Sequence, residues 1–354
     1  MKVKPVMDAL AAAGADLVLV HTGQHYDTAM SDVFFSDLGL RKPDHHLAVG
    51  SGSHATQTSK VMLAFEPVLE ASAPDAVVVV GDVNSTLACS LVTAKSPIKL
   101  GHVEAGLRSG DWSMPEEVNR VVTDRVSDLL FAPSPDAVAH LRAEGCPDSQ
   151  IHLVGNVMVD SLLANLERAR ATDTLARLGL TKSGYGLVTL HRPANVDDPA
   201  TLSRLMSGLD QVATTLCPLV LPAHPRLAAR LDQASASERL RIIPAAGYLE
   251  FIALQASALL VLTDSGGVQE ETTMLGVPCL TLRENTERPI TVTEGTNQVV
   301  GTEPEKIVAA ARSVLREPPP PRRPALWDGR AGQRIADHLI AAVSPARVGA
   351  PGPA

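Results

Sequence analysis

The segment from His102 to Arg120, HVEAGLRSGDWSMPEEVNR, concentrates side chains that can donate or accept protons. It holds four carboxylates, two arginines and one histidine, and it follows an apolar run that predicts a strand. Unpaired buried charges are strongly disfavoured, so charge this dense at a strand end favours a polar ligand. A solvated loop with incidental ion pairs is the structural alternative.

A second acidic turn, GDVNST, follows another apolar run at Gly81–Thr86. Asp82 could simply cap the helix that begins near Ser85. It could instead act as a general acid or base, because neighbouring acids can raise the pKa of a carboxyl group toward neutrality. Glu104, Glu116 and Glu117 would be those neighbours. Two carboxylates on opposite faces of a sugar ring would suit removal and return of a proton at carbon.

A third turn, TDSGGVQEE at Thr263–Glu271, predicts a strand followed by a helix. Its two glycines allow close backbone approach, and the free N–H groups of a helix N-terminus can hold an anion. Glu270 and Glu271 lie one turn further on, where carboxylates could accept hydrogen bonds from ribose hydroxyls. A capped helix with tightly packed glycines is the alternative. The turn matches neither the dinucleotide nor the NTP-binding glycine pattern, which argues against both classes.

Two histidines and two arginines complete the candidate set. His191 and His224 follow predicted strands and are candidate proton carriers or phosphate contacts, although histidines there are often structural. Arg120 and Arg288 would balance phosphate charge through forked donors.

Short β-branched runs alternate with helical patterns along the whole chain, which predicts α/β domains with parallel sheets. Eleven predicted strands are too many for one ordinary domain, so we expect two Rossmann-like domains that meet near Gly155–Leu166. Ligands of open α/β sheets bind outside the carboxyl ends of the strands. The polar strand ends therefore predict one cleft between the domains. The strand runs are Asp16–Val20, Ala76–Val80, Ile98–Val103, Leu129–Ala132, Ile151–Val154, Tyr185–Leu190, Leu219–Pro222, Leu240–Ile243, Leu259–Leu262, Pro278–Leu282 and Val299–Gly301.

Composition limits the classes of function. The chain has 354 residues, is 45% hydrophobic and 20% charged, and carries a net charge of −8. This charge does not favour a nucleic-acid binder. The four cysteines are far apart and form no CxxC pair, so neither a metal framework nor a disulfide-built fold is indicated. With no signal peptide or membrane-spanning run visible in the sequence, we expect a cytoplasmic protein.

Eight collinear motifs resemble the non-hydrolysing UDP-N-acetylglucosamine 2-epimerases, over about residues 1–342. HVEAGLR together with DSGGxQEE is the most specific combination. The motifs are HTGQHYD (21–27), GDVNSTLA (81–88), GHVEAGLRSGD (101–111), PEEVNR (115–120), VGNVMVD (154–160), TLHRPANVD (189–197), TDSGGVQEE (263–271) and TERP (286–289).

The resemblance implies two Rossmann-like domains in a glycosyltransferase-B arrangement, with the active site in the cleft between them. The first domain would comprise residues 1–157 and a returning C-terminal helix at about 331–345. The second would comprise 158–330, and 346–354 would be a disordered tail. A homodimer and a reaction without cofactor or metal are also implied. That reaction interconverts UDP-N-acetylglucosamine (UDP-GlcNAc) and UDP-N-acetylmannosamine (UDP-ManNAc) by loss and re-addition of UDP through a 2-acetamidoglucal.

Site residues can be carried over from the resemblance motif by motif. Lys2 and Arg120 would assist at the sugar, beside an acid/base set whose division of roles stays open. That set is Asp82, Glu104, Glu116 and His191. Glu271 would bind ribose, Phe251 would lie against uracil, and Arg288 would add a contact. The diphosphate would be held by His224, Ser265, Gly266 and Gly267.

The chain departs from the family pattern at two places. Members begin with a strand and a GTRPE-type turn, whereas this sequence begins within the following helix, at Met1. We therefore expect Met1 to be an internal methionine of a longer natural protein, with the first strand missing here. A regulatory UDP-GlcNAc pocket would use Gln24 and His25. The neighbouring Asp27 is unfavourable near a diphosphate, so we expect weak or altered substrate activation.

Three alternative functions stay open from the sequence. A hydrolysing epimerase would release UDP and free N-acetylmannosamine. A glycosyltransferase of the same fold would leave the first-domain acids without a role. A catalytically impaired, N-terminally truncated protein would bind the UDP-sugar without turnover.

Overall fold

The computed structural model describes residues 1–23, 38–231 and 237–343 as helices packed on parallel sheets. The strands are β1 (Val20–His21), β2 (His45–His46), β3 (Ala76–Val80), β4 (Lys99–Val103), β5 (Leu129–Ala132), β6 (Ile151–Leu153), β7 (Gly186–Thr189), β8 (Leu219–Ala223), β9 (Leu240–Pro244), β10 (Val261–Thr263), β11 (Cys279–Thr281) and β12 (Asn297–Val299). The helices are α1 (Val3–Ala12), α2 (His54–Ser72), α3 (Asn84–Thr93), α4 (Pro115–Val126), α5 (Pro135–Ala143), α6 (Val157–Arg170), α7 (Thr174–Arg177), α8 (Pro193–Val196), α9 (Pro199–Thr215), α10 (Pro225–Ala228), α11 (Tyr248–Ser257), α12 (Gly266–Leu275), α13 (Ile290–Thr293), α14 (Pro304–Arg316) and α15 (Ala331–Val343).

The first half of the chain forms two parallel sheets among the described residues. Strands β3, β4, β5 and β6 lie side by side in chain order, and β1 pairs with β2 in a separate two-stranded sheet. The valine run of β3 aligns along its whole length with β4, which places Val80 opposite Val103. The two chain segments that follow these strands, at Gly81 and Glu104, therefore emerge side by side.

The second half forms one six-stranded parallel sheet in the order β12-β11-β10-β7-β8-β9. This is the doubly wound Rossmann order. Strands β8 and β9 are added on one side of β7, and β10 to β12 are added on its other side, so the order of the strands reverses between β7 and β10. Thr189 of β7 lies opposite Thr263 of β10, so the turns after these strands meet at the reversal point. Buried leucines and valines from both faces of this sheet build its core, as expected for strands covered by helices.

The α/β fold class is confirmed, but some details differ from the sequence predictions. Each of the eleven predicted strand runs overlaps a strand, the first only at Val20 and the last only at Val299. Strand β2 was not predicted. The segment expected to join the domains is largely helix α6, whose N-terminus is capped by Asn156 accepting a hydrogen bond from Met158 N at 2.8 Å. The expected tail at 346–354 lies outside the described residues.

The last helix, α15, packs against α1 and the first four-stranded sheet. Its buried side chains Ile335 and Leu339 share a core with Val6 and Phe131. At Gly332, an added Cβ would lie 2.5 Å from the Pro5 carbonyl oxygen, so the two helices touch backbone to backbone. Among the described residues, no helix is both long enough and apolar enough to cross a membrane.

Candidate active site

Two predicted acids, Asp82 and Glu104, stand side by side where β3 and β4 end. Glu104 Oε2 lies 2.5 Å from Lys2 Nζ, and Asp82 Oδ2 lies 2.5 Å from Arg120 Nη1. The Glu104 side chain is 4% exposed and that of Asp82 is 28% exposed. Gly81 lies against the first of these pairs, because a Cβ there would lie 3.4 Å from Lys2 Nζ and 3.6 Å from Glu104 Oε2.

Arg120 is buried and its guanidinium is held by carboxylates. Besides Asp82, it contacts Glu117, whose Oε2 accepts a hydrogen bond from Nη2 at 2.6 Å. Glu117 also accepts bonds from the backbone N–H groups of Ser109 and Gly110. Arg120 thus joins the acidic loop to Asp82. Glu117, expected to act on Asp82 as an acid neighbour, instead organises that loop and neutralises Arg120.

The expectation that nearby acids raise the pKa of Asp82 is wrong. Burial alone would raise it, but the positive charges of Lys2, Arg120 and Arg288 outweigh burial and hold the pKa of Asp82 below its ordinary value. Asp82 is therefore ionised at neutral pH and can accept a proton.

Glu104 carries a backbone conformation that is rare for its residue type. Its φ is +74°, in the left-handed region, which costs a non-glycine residue on the order of 1 kcal/mol. Its second carboxylate oxygen, Oε1, is buried without a hydrogen-bond partner. Strain combined with an unpaired buried oxygen is a pattern typical of functional sites.

The second sheet contributes a histidine held by a buried acid at the reversal point. His191 Nδ1 lies 2.8 Å from Asp264 Oδ1, with the His191 side chain 49% exposed and that of Asp264 fully buried. Asp264 also accepts bonds from the backbone N–H groups of His191 and Arg192 and from Asn195 Nδ2. Asp264 therefore fixes the orientation of the imidazole and leaves Nε2 directed elsewhere.

The glycine turn of the second sheet begins helix α12 as predicted. Ser265 is its N-cap, and the helix ends at Gly276, whose φ is +70°. An added Cβ at Gly266 would lie 2.6 Å from Glu287 Oε1, whereas one at Gly267 would lie 3.3 Å from the Met158 methyl. Because the first N–H groups of a helix have no partner within the helix, the N-terminus of α12 can hold an anion.

Glu287, a residue that was not predicted from the sequence, lies beside this turn and holds several arginines there. Its carboxylate contacts Arg192 Nη2 at 2.9 Å and Arg283 Nη2 at 2.8 Å. Burial opposes ionisation of Glu287, yet Arg288, Arg283 and Arg192 together hold its pKa well below the ordinary range. Nη1 of Arg283 and Nη1 of Arg288 are buried without hydrogen-bond partners. The cluster thus keeps a net positive charge and donors that an anionic ligand could use.

Two glutamates of α12 face inward. Glu270 Oε1 accepts a bond from Arg288 Nε at 2.5 Å, and Glu271 Oε2 accepts one from Gln255 Nε2 at 2.7 Å. Burial raises the pKa of Glu271 to about 7, with the negative charge of Glu270 adding to the rise. Burial likewise raises the pKa of Glu270, against the charge of Arg288.

Charges from the two sheets act on one another. The Arg288 guanidinium interacts electrostatically with Glu104 and Asp82 as well as with Glu270, and Lys2 interacts with both Asp82 and Arg288. The structure therefore brings together residues of both halves of the chain. Predicted site residues in this cluster are Lys2, Asp82, Glu104, Arg120 and Arg288.

The other predicted residues occupy related positions. Glu116 is half-buried in the first turn of α4, and Phe251 packs half-buried on α11 against the core of the second sheet. His224 is exposed just after β8. Gln24 and His25, the predicted regulatory residues, lie outside the described residues. Across the described ranges, no group of three or more His, Cys, Asp or Glu is arranged to hold a metal ion.

Sequence reasoning missed the roles of Asp264 and Glu287. Asp264 stands in the TDSGG motif, and its position after a strand could have suggested a partner for the histidine that follows a neighbouring strand. For Glu287, the nearby Arg283 and Arg288 were the signal in the sequence. The pairing of Asp264 with His191 and that of Glu287 with Arg192 are not visible without knowing that β7 lies next to β10.

Comparison with known proteins agrees with this geometry. Residues 8–340 match the family model described as UDP-N-acetylglucosamine 2-epimerase. The UDP-N-acetylglucosamine 2-epimerase of Methanococcus maripaludis is 40% identical over 98% of this chain and 96% of that protein. The UDP-2,3-diacetamido-2,3-dideoxy-D-glucuronate 2-epimerase of Pseudomonas aeruginosa is 41% identical over 91% of this chain and 90% of that protein.

A solved structure supports the same assignment. The crystal structure of the Methanocaldococcus jannaschii UDP-GlcNAc 2-epimerase, in complex with UDP-GlcNAc and UDP, superposes with a TM-score of 0.89. It is 41% identical and covers 96% of each chain. The motifs, the doubly wound second sheet and these matches together show that the chain belongs to the UDP-N-acetylglucosamine 2-epimerase family.

Proposed function

We propose that this protein interconverts UDP-GlcNAc and UDP-ManNAc by reversible epimerisation at C2. The observation that carries the proposal is the meeting of Asp82 and Glu104 with Arg288 and Lys2, because it places proton carriers beside cations at the ends of both sheets. Cations beside acids suit a reaction in which a negatively charged diphosphate leaves while a carbon-bound proton is removed.

The UDP moiety would occupy the second sheet's turn. Gly266 and Gly267 would donate backbone N–H groups to the diphosphate, Ser265 would contact it through its hydroxyl, and Arg288 would add positive charge. The backbone N–H of Ser265 already donates to Thr263 Oγ1 at 3.0 Å. Glu271 would accept hydrogen bonds from ribose. Phe251 would lie against uracil, and His224 would contact the diphosphate.

Removal of the C2 proton and departure of UDP would give 2-acetamidoglucal, to which UDP then returns. Reprotonation on the other face inverts C2, so the site needs proton carriers on both faces of the ring. Asp82 suits the base, since it is ionised at neutral pH. Glu104, Glu116 and His191 complete the acid/base set, and Asp264 orients His191.

The test is proton NMR of the products formed from UDP-GlcNAc in heavy water. Epimerisation gives UDP-ManNAc at equilibrium with deuterium at C2. Free N-acetylmannosamine with stoichiometric UDP would identify a hydrolysing enzyme. UDP binding by calorimetry without deuterium incorporation would identify a protein that binds the nucleotide sugar without turnover.

A matched pair of variants tests the proposed base. Asp82→Asn keeps the shape of the side chain but cannot accept the proton, so we expect kcat to fall at least about 10²-fold. Asp75→Asn alters an exposed acid just before the same strand and should keep wild-type activity. Equal activity of the two variants would remove Asp82 from the mechanism.

A second substrate is favoured by one relative. The Pseudomonas aeruginosa protein named for a diacetamido glucuronate is as similar to this chain as the enzymes named for UDP-GlcNAc. We therefore propose that both nucleotide sugars be assayed side by side, and the higher kcat/KM identifies the substrate.

We further propose that the protein is a homodimer that works in the cytoplasm. All four cysteines are buried and unpaired by disulfides, as is usual in a reducing compartment. Light scattering of the purified protein should give twice the mass of the 37.3 kDa chain. A monomer that retains full activity would contradict the dimer, and activity confined to a membrane or secreted fraction would contradict the compartment.

A further inference from the structure

The His102 side chain lies fully buried between two acceptors that belong to different parts of the site. Its Nδ1 is 2.5 Å from Asp124 Oδ1, and its Nε2 is 2.9 Å from the carbonyl oxygen of Gly81. A carbonyl can only accept, so Nε2 carries a proton. Asp124 is an ionised acceptor, because its other oxygen receives bonds from Arg108 Nη2 at 2.7 Å and Gly106 N at 3.0 Å.

Both ring nitrogens therefore donate, which makes His102 a buried imidazolium. The charged groups around it are Asp124 on α4, Glu104 and Arg108 after β4, and Glu144, which reaches it through Arg108. Burial alone would lower the pKa of His102, whereas Asp124, the Gly81 carbonyl and Glu104 raise it above its ordinary value.

The bond to Gly81 acts directly on the turn that carries Asp82. Gly81 N donates to the Val103 carbonyl at 3.1 Å, while its own carbonyl accepts from His102. Strand β4 thus holds Gly81 from both sides. Gly81 has a φ of +76°, and a glycine backbone can adopt many other conformations. A hydrogen bond to its carbonyl therefore restricts a backbone whose movement would displace Asp82.

We propose that His102 is a positioning residue, a permanently charged imidazolium that tethers Gly81 and thereby keeps Asp82 beside Glu104. The proposal rests on the proposed epimerase function, in which both acids handle protons. His102 touches neither substrate nor reacting atoms in this role. Its effect on the reaction passes through the Gly81 carbonyl.

Two substitutions separate the tether from the general loss of a buried histidine. His102→Gln places an amide N–H where Nε2 stood and can keep the bond to Gly81. His102→Asn places one where Nδ1 stood and can keep the bond to Asp124 while releasing Gly81. A small misplacement of a reacting group can lower the rate on the order of 10²-fold. We expect that loss in kcat for His102→Asn, with KM little changed, and near wild-type kcat for His102→Gln.

The control is His338→Gln, which removes an exposed histidine of α15 whose ring contacts His152 and should leave kcat unchanged. Equal kcat in the Asn and Gln variants, or a larger loss in His102→Gln, would overturn the proposal. A wild-type protein without epimerase activity would instead refute the proposed function, because the comparison of variants begins from measurable turnover.

A measurement on the wild-type protein keeps the proposal testable even if a variant fails to fold. With ¹⁵N-labelled histidine, and with His102→Gln to assign the signal, both ring nitrogens of His102 should carry hydrogens at pH 8. A single protonated nitrogen at that pH would show a neutral ring and would overturn the charged tether. This readout does not depend on catalysis.

Discussion

At the scale of the residue, two carboxyl groups of the site have pKa values shifted in opposite directions. Positive charges from Lys2 and Arg120 keep Asp82 ionised despite burial. Glu271 lacks a cation of its own, and burial raises its pKa to about 7. Neighbouring charge, more than residue type, therefore decides which acid is ready to accept a proton at neutral pH.

The Glu271 shift predicts a pH-dependent stability. Its folded pKa of about 7 exceeds the ordinary 4.5, so the folded state binds more protons between these values. The free energy of unfolding should therefore fall as pH rises from about 4.5 to 7, by at most about 3 kcal/mol from this group. Glu271→Gln should lose this part of the pH dependence in urea unfolding measured at several pH values. Glu167→Gln, on the exposed face of α6, should keep it, and identical slopes in both variants would contradict the assigned shift.

Asp264 supports a prediction about His191. Asp264→Asn replaces one carboxylate oxygen by an amide group that faces N–H donors from His191, Arg192 and Asn195. The imidazole then loses its orientation, and we expect kcat to fall on the order of 10²-fold with UDP affinity retained. Steady-state kinetics and calorimetry measure the two effects. Asp198→Asn, at the exposed N-cap of α9, is the control, since asparagine caps helices as well as aspartate does. Unchanged kcat in Asp264→Asn would refute the orienting role.

At the scale of the element, the N-terminus of α12 packs so closely against its neighbours that its first two residues are glycines. Gly266 faces the carboxylate that gathers the surrounding arginines, while Gly267 faces a flexible methionine end. The two glycines are adjacent in sequence, but the carboxylate beside Gly266 is held by arginines, whereas the methionine side chain beside Gly267 can change its rotamer. Their tolerance of a methyl group should differ accordingly.

Gly266→Ala and Gly267→Ala form a matched pair. The first places a Cβ 2.6 Å from Glu287 Oε1 and must displace that carboxylate from Arg192 and Arg283. We expect it to lower the free energy of unfolding by about 1–3 kcal/mol, as overpacking in a buried site does. Gly267→Ala should cost less, because the Met158 side chain can move. Denaturant unfolding without ligand measures both, and an equal or reversed order would contradict the packing described here.

At the scale of the whole molecule, α15 returns from the end of the described chain to the first sheet. Asp160 of α6 accepts bonds from Gly332 N at 2.8 Å and Ala331 N at 3.2 Å, the first N–H groups of α15. Burial raises the pKa of Asp160, which these bonds oppose. One buried side chain therefore links α6 to the helix that completes the core of the first sheet.

Removing this cap should destabilise the first sheet without changing the proposed UDP site. Asp160→Ala leaves two helix N–H groups unpaired, and the loss of a cap costs about 1–2 kcal/mol in unfolding free energy. Asp160→Asn keeps an acceptor oxygen and should cost less. Thermal or urea unfolding, combined with UDP titration, tests the pair. A drop in UDP affinity equal to the loss of stability would show that the two halves do not respond separately.

The sequence by itself determined the fold class, the strand runs and the family. Buried parallel strands read as apolar runs because both faces are covered, and glycine-rich or charged turns mark where they end. These are local properties, so His102–Arg120, Gly81–Thr86 and Thr263–Glu271 were recognisable one at a time. The helix α6 was missed because the boundary prediction relied on the end of a strand and not on helical periodicity.

Only the tertiary structure decided how these segments act on one another. His102 and Asp124 are 22 residues apart, and His191 and Asp264 are 73 apart, yet each pair shares a hydrogen bond. The direction of the Asp82 pKa shift likewise depended on the charges that the fold places around it, where the cations Lys2, Arg120 and Arg288 outweigh burial. Hydrogen bonds and Coulomb forces depend on distance in space. Strand order and helix packing set those distances, so separation along the chain could not reveal them.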